Sequence, residues 1–294
     1  MADKKRRRRL GDRREGRKLR TLSPIIRAMP YIMPKRNDSL NFFTEKLDVS
    51  EADKLCREQI KAGRTNFTLL HVFIAAYIRV VSQRPAINRF VSGQTIYARN
   101  NIEVLMTIKK KMALDGEETC IKVQFEPTDT IYDVYDKFNA AVMANKGDTE
   151  GNDTEKFAKV LNYIPRFLLR FIIWLIKTLD YYALLPKAIV NLSPFHGSMI
   201  ITSMGSLGIR PIYHHIYDFG NLPIFLSYGS KQTGLKLDED GNPKKYKYIE
   251  LKAVTDERIC DGYYYASAFK MMKKIFENPH VLKNPPDKVI EDID

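Results

Sequence analysis

The stretch from Leu69 to Ser82 constrains the fold more than any other part of this 294-residue chain. It predicts a helix, and eleven of its fourteen residues are apolar, on nearly every face. A helix of this kind is normally buried, so the fold must enclose it. Its one histidine, His71, is expected in the core or at an interface. Period-two alternation and apolar runs predict strands at several places: 42–49, 94–98, 102–109, 118–125, 198–203, 223–229 and 246–254. These lengths favour a central mixed sheet with helices packed against it.

The composition indicates a soluble globular protein, with 44% hydrophobic and 28% charged residues. Its three cysteines, Cys56, Cys120 and Cys260, form neither a zinc pattern nor a disulfide framework. We therefore expect a cytoplasmic protein that holds no metal.

The charge is concentrated at the N-terminus. Residues 1–20 carry eleven Lys/Arg against three Asp/Glu, and thus +8 of the net charge of +13. We predict a disordered basic tail over 1–20, an extended, proline-containing lead-in over 21–39, one domain over 40–280 and a polar C-terminal tail over 281–294. The basic tail could contact an anionic membrane, nucleic acid or an acidic protein, or it could serve solubility alone.

The segment 166–185 predicts an apolar helix with three cations, Arg166, Arg170 and Lys177, on one face. Its longest uncharged run, 171–176, is too short to span a bilayer. Three alternatives stay open: a buried helix, an oligomer contact, or an amphipathic helix on a membrane surface.

Four ionisable side chains, Asp256, Glu257, Arg258 and Asp261, lie within six residues where a predicted strand ends and a helix begins. Such a cluster is either the rim of an active site or a salt-bridged corner.

Three segments, 84–88, 201–208 and 255–262, together resemble one family. They read Arg-Pro-Ala-Ile-Asn, Ile-Thr-Ser-Met-Gly-Ser-Leu-Gly and Thr-Asp-Glu-Arg-Ile-Cys-Asp-Gly. In this order they resemble the catalytic domain of the dihydrolipoyl acyltransferases of 2-oxo acid dehydrogenase complexes, and the related chloramphenicol acetyltransferases. The resemblance covers about residues 40–280. It implies an α/β fold: a chloramphenicol acetyltransferase-like two-layer sandwich, with a mixed sheet and packed helices in one domain.

The resemblance also implies a homotrimer with active sites between subunits and with coenzyme A or acyl-coenzyme A as substrate. In the family a histidine takes the thiol proton and a hydroxyl holds the oxyanion. Ser203 matches that hydroxyl and Asp261 matches an aspartate that organises the site by ion pairing. Arg258 and Gly262 complete the frame, and Asn88 would order a loop.

Glu257 stands where the family has its catalytic histidine. A carboxylate in water has a pKa of about 4.3 and a thiol of about 8.5, so a glutamate is a poor like-for-like base. His214 and His215 are substitutes, because an imidazole titrates near neutrality. On a strand, at most one of two adjacent residues would point inward. The pair could also be structural, or bind a metal, although no carboxylate or cysteine at suitable spacing supports a metal site.

Two functions follow. The first is a stand-alone acyltransferase that uses a coenzyme A thioester, since residues 1–40 are too few for a lipoyl attachment domain. The second is a catalytically inactive trimeric binding or scaffold relative, membrane-peripheral if the helix at 166–185 lies on a bilayer.

Overall fold

The computed structural model describes residues 7–109, 118–146, 163–238 and 240–294. These ranges contain seven α-helices: α1 (Pro24–Ile32), α2 (Ser50–Lys61), α3 (Leu69–Gln83), α4 (Ile131–Lys146), α5 (Arg166–Tyr181), α6 (Lys187–Leu192) and α7 (Gly262–Glu277). They also contain ten strands: β1 (Gly16–Lys18), β2 (Leu40–Asp48), β3 (Arg89–Ser92), β4 (Thr95–Arg99), β5 (Ile102–Lys109), β6 (Glu118–Phe125), β7 (Met199–Ser203), β8 (Ile224–Tyr228), β9 (Gln232–Leu237) and β10 (Pro243–Asp256).

Seven of the strands form one mixed sheet. Their order is β2-β10-β8-β7-β5-β6, and β9 pairs with β10. The strand β7 lies parallel to β5 and β8, whereas the other pairs are antiparallel. The mixed sheet with packed helices confirms the predicted fold class.

The helices α3 and α7 cover one face of this sheet. Phe73 of α3 stacks on Tyr228 of β8, with ring centroids 4.6 Å apart, and packs against Phe276 of α7 at 4.7 Å. The predicted burial of this helix is confirmed, because nearly all of its side chains are buried. His71 is also buried, and its Nδ1 accepts the Thr68 N–H at 3.0 Å, which caps the helix.

The N-terminal segment corrects the prediction of a disordered tail over 1–20. The strand β1 pairs with β4, which pairs with β3 to form a second, three-stranded sheet. Arg13 is buried and forms ion pairs with Glu15 and Asp180. Asp180, on the body of the protein, therefore helps to hold Arg13 and orders this part of the segment. The first six residues lie outside the described ranges.

The lead-in predicted as extended over 21–39 is also different. It contains α1 and a 3₁₀ turn over Arg36–Ser39. Pro24 occupies the first helical position, where its missing N–H has no intrahelical role. The polar C-terminal tail lies on the body, since Asp292 accepts both Nε (2.7 Å) and Nη2 (2.6 Å) of Arg89.

The helix α5 exposes its apolar side chains, which excludes the buried alternative. Phe167, Trp174 and Phe171 are 77%, 59% and 54% exposed. Asp180, near its C-terminal end, is buried and anchors it to Arg13. The oligomer contact and the membrane surface remain as alternatives. In the described part of the chain, no helix is both long and apolar enough to cross a bilayer.

Candidate functional site

Asp256 is the centre of the corner that follows β10. Its carboxylate is fully buried. Oδ1 accepts from Arg258 Nε at 2.8 Å and from Ser39 Oγ at 3.1 Å, while Oδ2 accepts from Arg258 Nη2 at 2.7 Å and from Arg36 Nε at 3.3 Å. Two guanidinium groups therefore share one carboxylate, and the corner is salt-bridged at this residue.

The neighbouring arginines stabilise the ionised form of Asp256. Burial by itself would raise the pKa of this carboxyl, but the hydrogen bonds and charge of Arg258, together with the charge of Arg36, lower the pKa below its usual value. Sequence reasoning missed this role because Arg36 and Ser39 lie more than two hundred residues earlier in the chain.

Glu257 is exposed on the outside of the same corner. Its backbone N–H donates to Ser39 O at 2.8 Å, which fixes where the side chain leaves the turn. Arg258 binds Asp256 instead, and the described residues offer the Glu257 carboxylate no ion pair. The carboxylate is therefore accessible to a substrate or to another subunit.

Asp261 and Gly262 open α7. The Asp261 carboxylate accepts the Tyr264 N–H at 2.8 Å and so acts as the N-cap. The ion pair that the resemblance implies for Asp261 is not found within the described part of this single chain, where the residue is exposed. A Cβ on Gly262 would meet open space.

Asn88 lies on the 3₁₀ turn Pro85–Asn88 that follows α3. Its Nδ2 donates to Asn101 O at 3.0 Å and ties that turn to the connection between β4 and β5. Its Oδ1 is buried and has no hydrogen-bond partner among the described groups.

Ser203 ends β7 at the far end of the sheet from Glu257. Ser203 pairs with Tyr228 in register, and Tyr228 pairs with Leu251. From Leu251 the strand β10 runs four more residues to Thr255, about 13 Å, before it reaches the corner. One copy of the chain therefore cannot bring Ser203 and Glu257 to the same reacting atom.

His214 and His215 lie on a segment without regular secondary structure. The His214 ring stacks on Phe225, with centroids 4.3 Å apart and planes 10° apart. Phe225 faces away from α3 and α7. Ser203 lies two residues after the core residue Ile201 on β7, so the two side chains share a face of the sheet and Ser203 faces these helices. The sheet therefore separates His214 from Ser203.

The two imidazoles differ in environment. Burial, with a smaller effect of His215, lowers the pKa of His214, and its Nε2 has no partner in the described structure. His215 is exposed and packs edge-on against Tyr217 at 4.8 Å. Only one of the two points inward, as expected, although the segment is not a strand. No group of three potential metal ligands surrounds either ring in the described ranges.

No protein-family model matches the chain, and neither does any curated protein. Solved structures share its fold. The probable dihydrolipoamide acetyltransferase from Listeria monocytogenes matches with a TM-score of 0.55 at 14% identity, over 89% of this chain and 95% of that chain. The dihydrolipoamide acetyltransferase from Azotobacter vinelandii gives 0.55 at 15%, over 90% and 93%. A truncated catalytic core of the 2-oxoacid dehydrogenase multienzyme complex from Thermoplasma acidophilum gives 0.52 at 14%, over 90% and 99%. The fold is that of the acyltransferase cores which the motifs resemble.

Proposed function

We propose that this protein is an acyltransferase whose active sites lie between neighbouring copies in a homotrimer. The acyl donor would be a coenzyme A thioester. The observation that carries the proposal is the placement of Ser203 and Glu257 at opposite ends of one sheet, in a fold shared with acetyltransferases. A head-to-tail contact that closes a ring would bring Ser203 of one copy to Glu257 of the next.

Ser203 would hold the oxyanion. Its backbone is held in the sheet, where Ser203 pairs with Tyr228 of β8, so the strand sets the position of the hydroxyl before the substrate binds. A preorganised donor of this kind contributes about 100- to 1000-fold to the rate. The related Azotobacter protein has been studied for the roles of one serine, one histidine and one asparagine in its catalytic mechanism.

Glu257 would take the proton from the acceptor. In water the pKa of a glutamic acid is about four units below that of a thiol, so its carboxylate is too weak a base to deprotonate the thiol. Removing the carboxylate from water raises this pKa and makes it a stronger base. A neighbouring copy that covers the exposed corner would supply that environment. His214 is the second candidate, since its lowered pKa keeps the imidazole neutral and able to accept a proton. His215, exposed on the same segment, is the third.

A transfer assay identifies the base. The substrates are acetyl-coenzyme A and dihydrolipoamide, and the variants are Glu257→Ala, His214→Ala and His215→Ala. We expect Glu257→Ala to lose at least about 100-fold in kcat, because general-base catalysis contributes about 100- to 10,000-fold. Glu277→Ala, an exposed glutamate on α7, is the matched control. Equal background rates in the wild type and all variants would support the catalytically inactive relative instead.

For α5 we propose a contact with an anionic membrane surface. Its exposed aromatic residues, Phe167, Phe171 and Trp174, follow helical spacing, and Arg166 and Lys177 lie along the edge of the stripe they form. Aromatic and basic residues in this arrangement are typical of helices that lie in the interface of a bilayer. The arginine-rich N-terminal segment meets the C-terminal end of this helix.

A further inference from the structure

An arginine-lined cavity of about 550 Å³ lies between the N-terminal segment, the end of α3 and the C-terminal tail. Its six arginines are Arg7, Arg8, Arg13, Arg14, Arg17 and Arg99. Three acidic residues, Asp12, Glu291 and Asp292, lie among them. The cavity is adjacent to the corner after β10 but separate from it. Arg89 stands between them, since it binds Asp292 and donates Nη1 to Ile259 O at 3.2 Å.

Arg99 is a buried cation that makes no direct ion pair with the described residues, although the charges of Glu103 and Glu15 act on it from a greater distance. It is 9% exposed, and its Nη2 donates only to neutral oxygens, Asn221 O at 3.2 Å and Asn221 Oδ1 at 2.9 Å. Its guanidinium lies over the Phe90 ring at 4.3 Å. Nε has no hydrogen-bond partner, and no carboxylate in the described chain forms an ion pair with Arg99.

That arrangement is unfavourable without a further group. Burial lowers the pKa of Arg99 although the charges of Glu103 and Glu15 act to raise it, and a buried charge normally requires a directly paired charge and satisfied hydrogen bonds. An anion in the cavity would supply both. A phosphate suits this site because its charged oxygens are strong acceptors for the guanidinium N–H groups that Asn221 leaves free.

The other cavity arginines divide into two groups. Arg13 is held by Glu15 and Asp180, and Arg17 donates to the backbone of the C-terminal tail. By contrast, Arg7, Arg8 and Arg14 are exposed, and no ion pair is found for them among the described residues; Arg8 donates to the carbonyl oxygen of Asp12. The charge available to a ligand is therefore that of Arg99 and of these three arginines.

Asn88 adds a requirement on the ligand. The residue lines the same cavity, and its buried Oδ1 lacks a hydrogen-bond donor in the described structure. Leaving a buried acceptor unpaired costs about 1–3 kcal/mol. A ligand that carries a hydroxyl or amino group beside its phosphate would satisfy this atom and Arg99 together.

We propose that this cavity binds a phosphorylated small molecule, with its phosphate on Arg99 and Arg14 and a donor group on Asn88. The volume lies within the range of small-molecule sites. The site is assembled from one copy of the chain, so it does not depend on acyl transfer or on the trimer.

Isothermal titration of the full chain with pyrophosphate and with adenosine monophosphate, at constant ionic strength, tests the site. We expect saturable one-to-one binding, weakened at least tenfold by Arg99→Gln and by Arg14→Glu. The monophosphate also offers hydroxyl donors, so tighter binding than that of pyrophosphate, in spite of its smaller negative charge, would place a phosphate ester, rather than free phosphate, in the cavity. Arg27→Gln, an exposed arginine on α1, is the matched control and should bind as the wild type does.

Two outcomes would overturn the proposal: no saturable heat with either probe, or the same weakening in Arg27→Gln as in the cavity variants. If Arg99→Gln does not fold, the exposed Arg14→Glu variant decides the matter, because wild-type affinity in that variant would contradict the site.

Discussion

Asp256 is the residue on which the shape of the corner depends. Its carboxylate is the shared partner of Arg36 and Arg258, both of which are buried. Removing one partner from a buried ionic cluster costs more than the cluster contributes in total, since it leaves charge without compensation. Glu257, one residue later and exposed, has no such role in the fold.

Replacing Asp256 with asparagine tests this difference. Asp256→Asn keeps the shape of the side chain but leaves two buried guanidinium groups unpaired, so we expect the free energy of unfolding to fall by about 3–5 kcal/mol. Urea denaturation measures it, and Glu257→Gln is the control, with a change within about 0.5 kcal/mol. A loss below about 1 kcal/mol for Asp256→Asn would contradict the ionic role.

The same carboxylate predicts a pH dependence. The pKa of Asp256 is lower in the folded state than the value of about 3.9 expected in the unfolded chain. Its stabilisation is therefore complete above about pH 4 and is lost as the pH falls through the lower, folded-state pKa. We expect the difference in unfolding free energy between the wild type and Asp256→Asn to be constant from pH 7 to about pH 5 and to shrink below about pH 4. If the difference in unfolding free energy between the two proteins stayed constant below about pH 4, the stabilising role of the ionised Asp256 would be contradicted.

The secondary-structure elements differ in how well the sequence predicts them. Periodicity is local, so α3 and the strands of the main sheet could be predicted from it. The ordering of Arg13 could not, because its partner Asp180 is 167 residues away. Burial of α5 could not be settled either, since an apolar stripe looks the same whether it faces a core or solvent.

The exposed stripe of α5 can be tested with lipid vesicles. We expect Phe171→Ser with Trp174→Ser to weaken binding to vesicles of phosphatidylcholine and phosphatidylglycerol by at least tenfold, since burying each aromatic residue contributes about 1.5–3 kcal/mol. Co-sedimentation measures it, and Phe42→Ser, an exposed phenylalanine on β2, is the control. Unchanged binding with a changed oligomeric state would identify α5 as a contact between copies instead.

The chain as a whole holds the two candidate site residues, Ser203 and Glu257, at opposite ends of the main sheet. The motif order predicted the fold and singled out Ser203 and Glu257. Their separation follows from the sheet: β7 and β8 run parallel, β10 runs against them, and the ends of β7 and β10 therefore point in opposite directions. Sequence spacing cannot show this, because strand order is set by long-range pairing.

The most direct test of a shared site is complementation between inactive copies. Ser203→Ala and Glu257→Ala chains are purified alone and after co-expression, and acetyl transfer from acetyl-coenzyme A to dihydrolipoamide is measured for each. We expect each variant alone to lose at least about 100-fold. In randomly mixed trimers about a quarter of the interfaces combine an intact Ser203 with an intact Glu257, so about a quarter of the wild-type activity should return. Mixed trimers no more active than either variant alone would contradict a site built between copies.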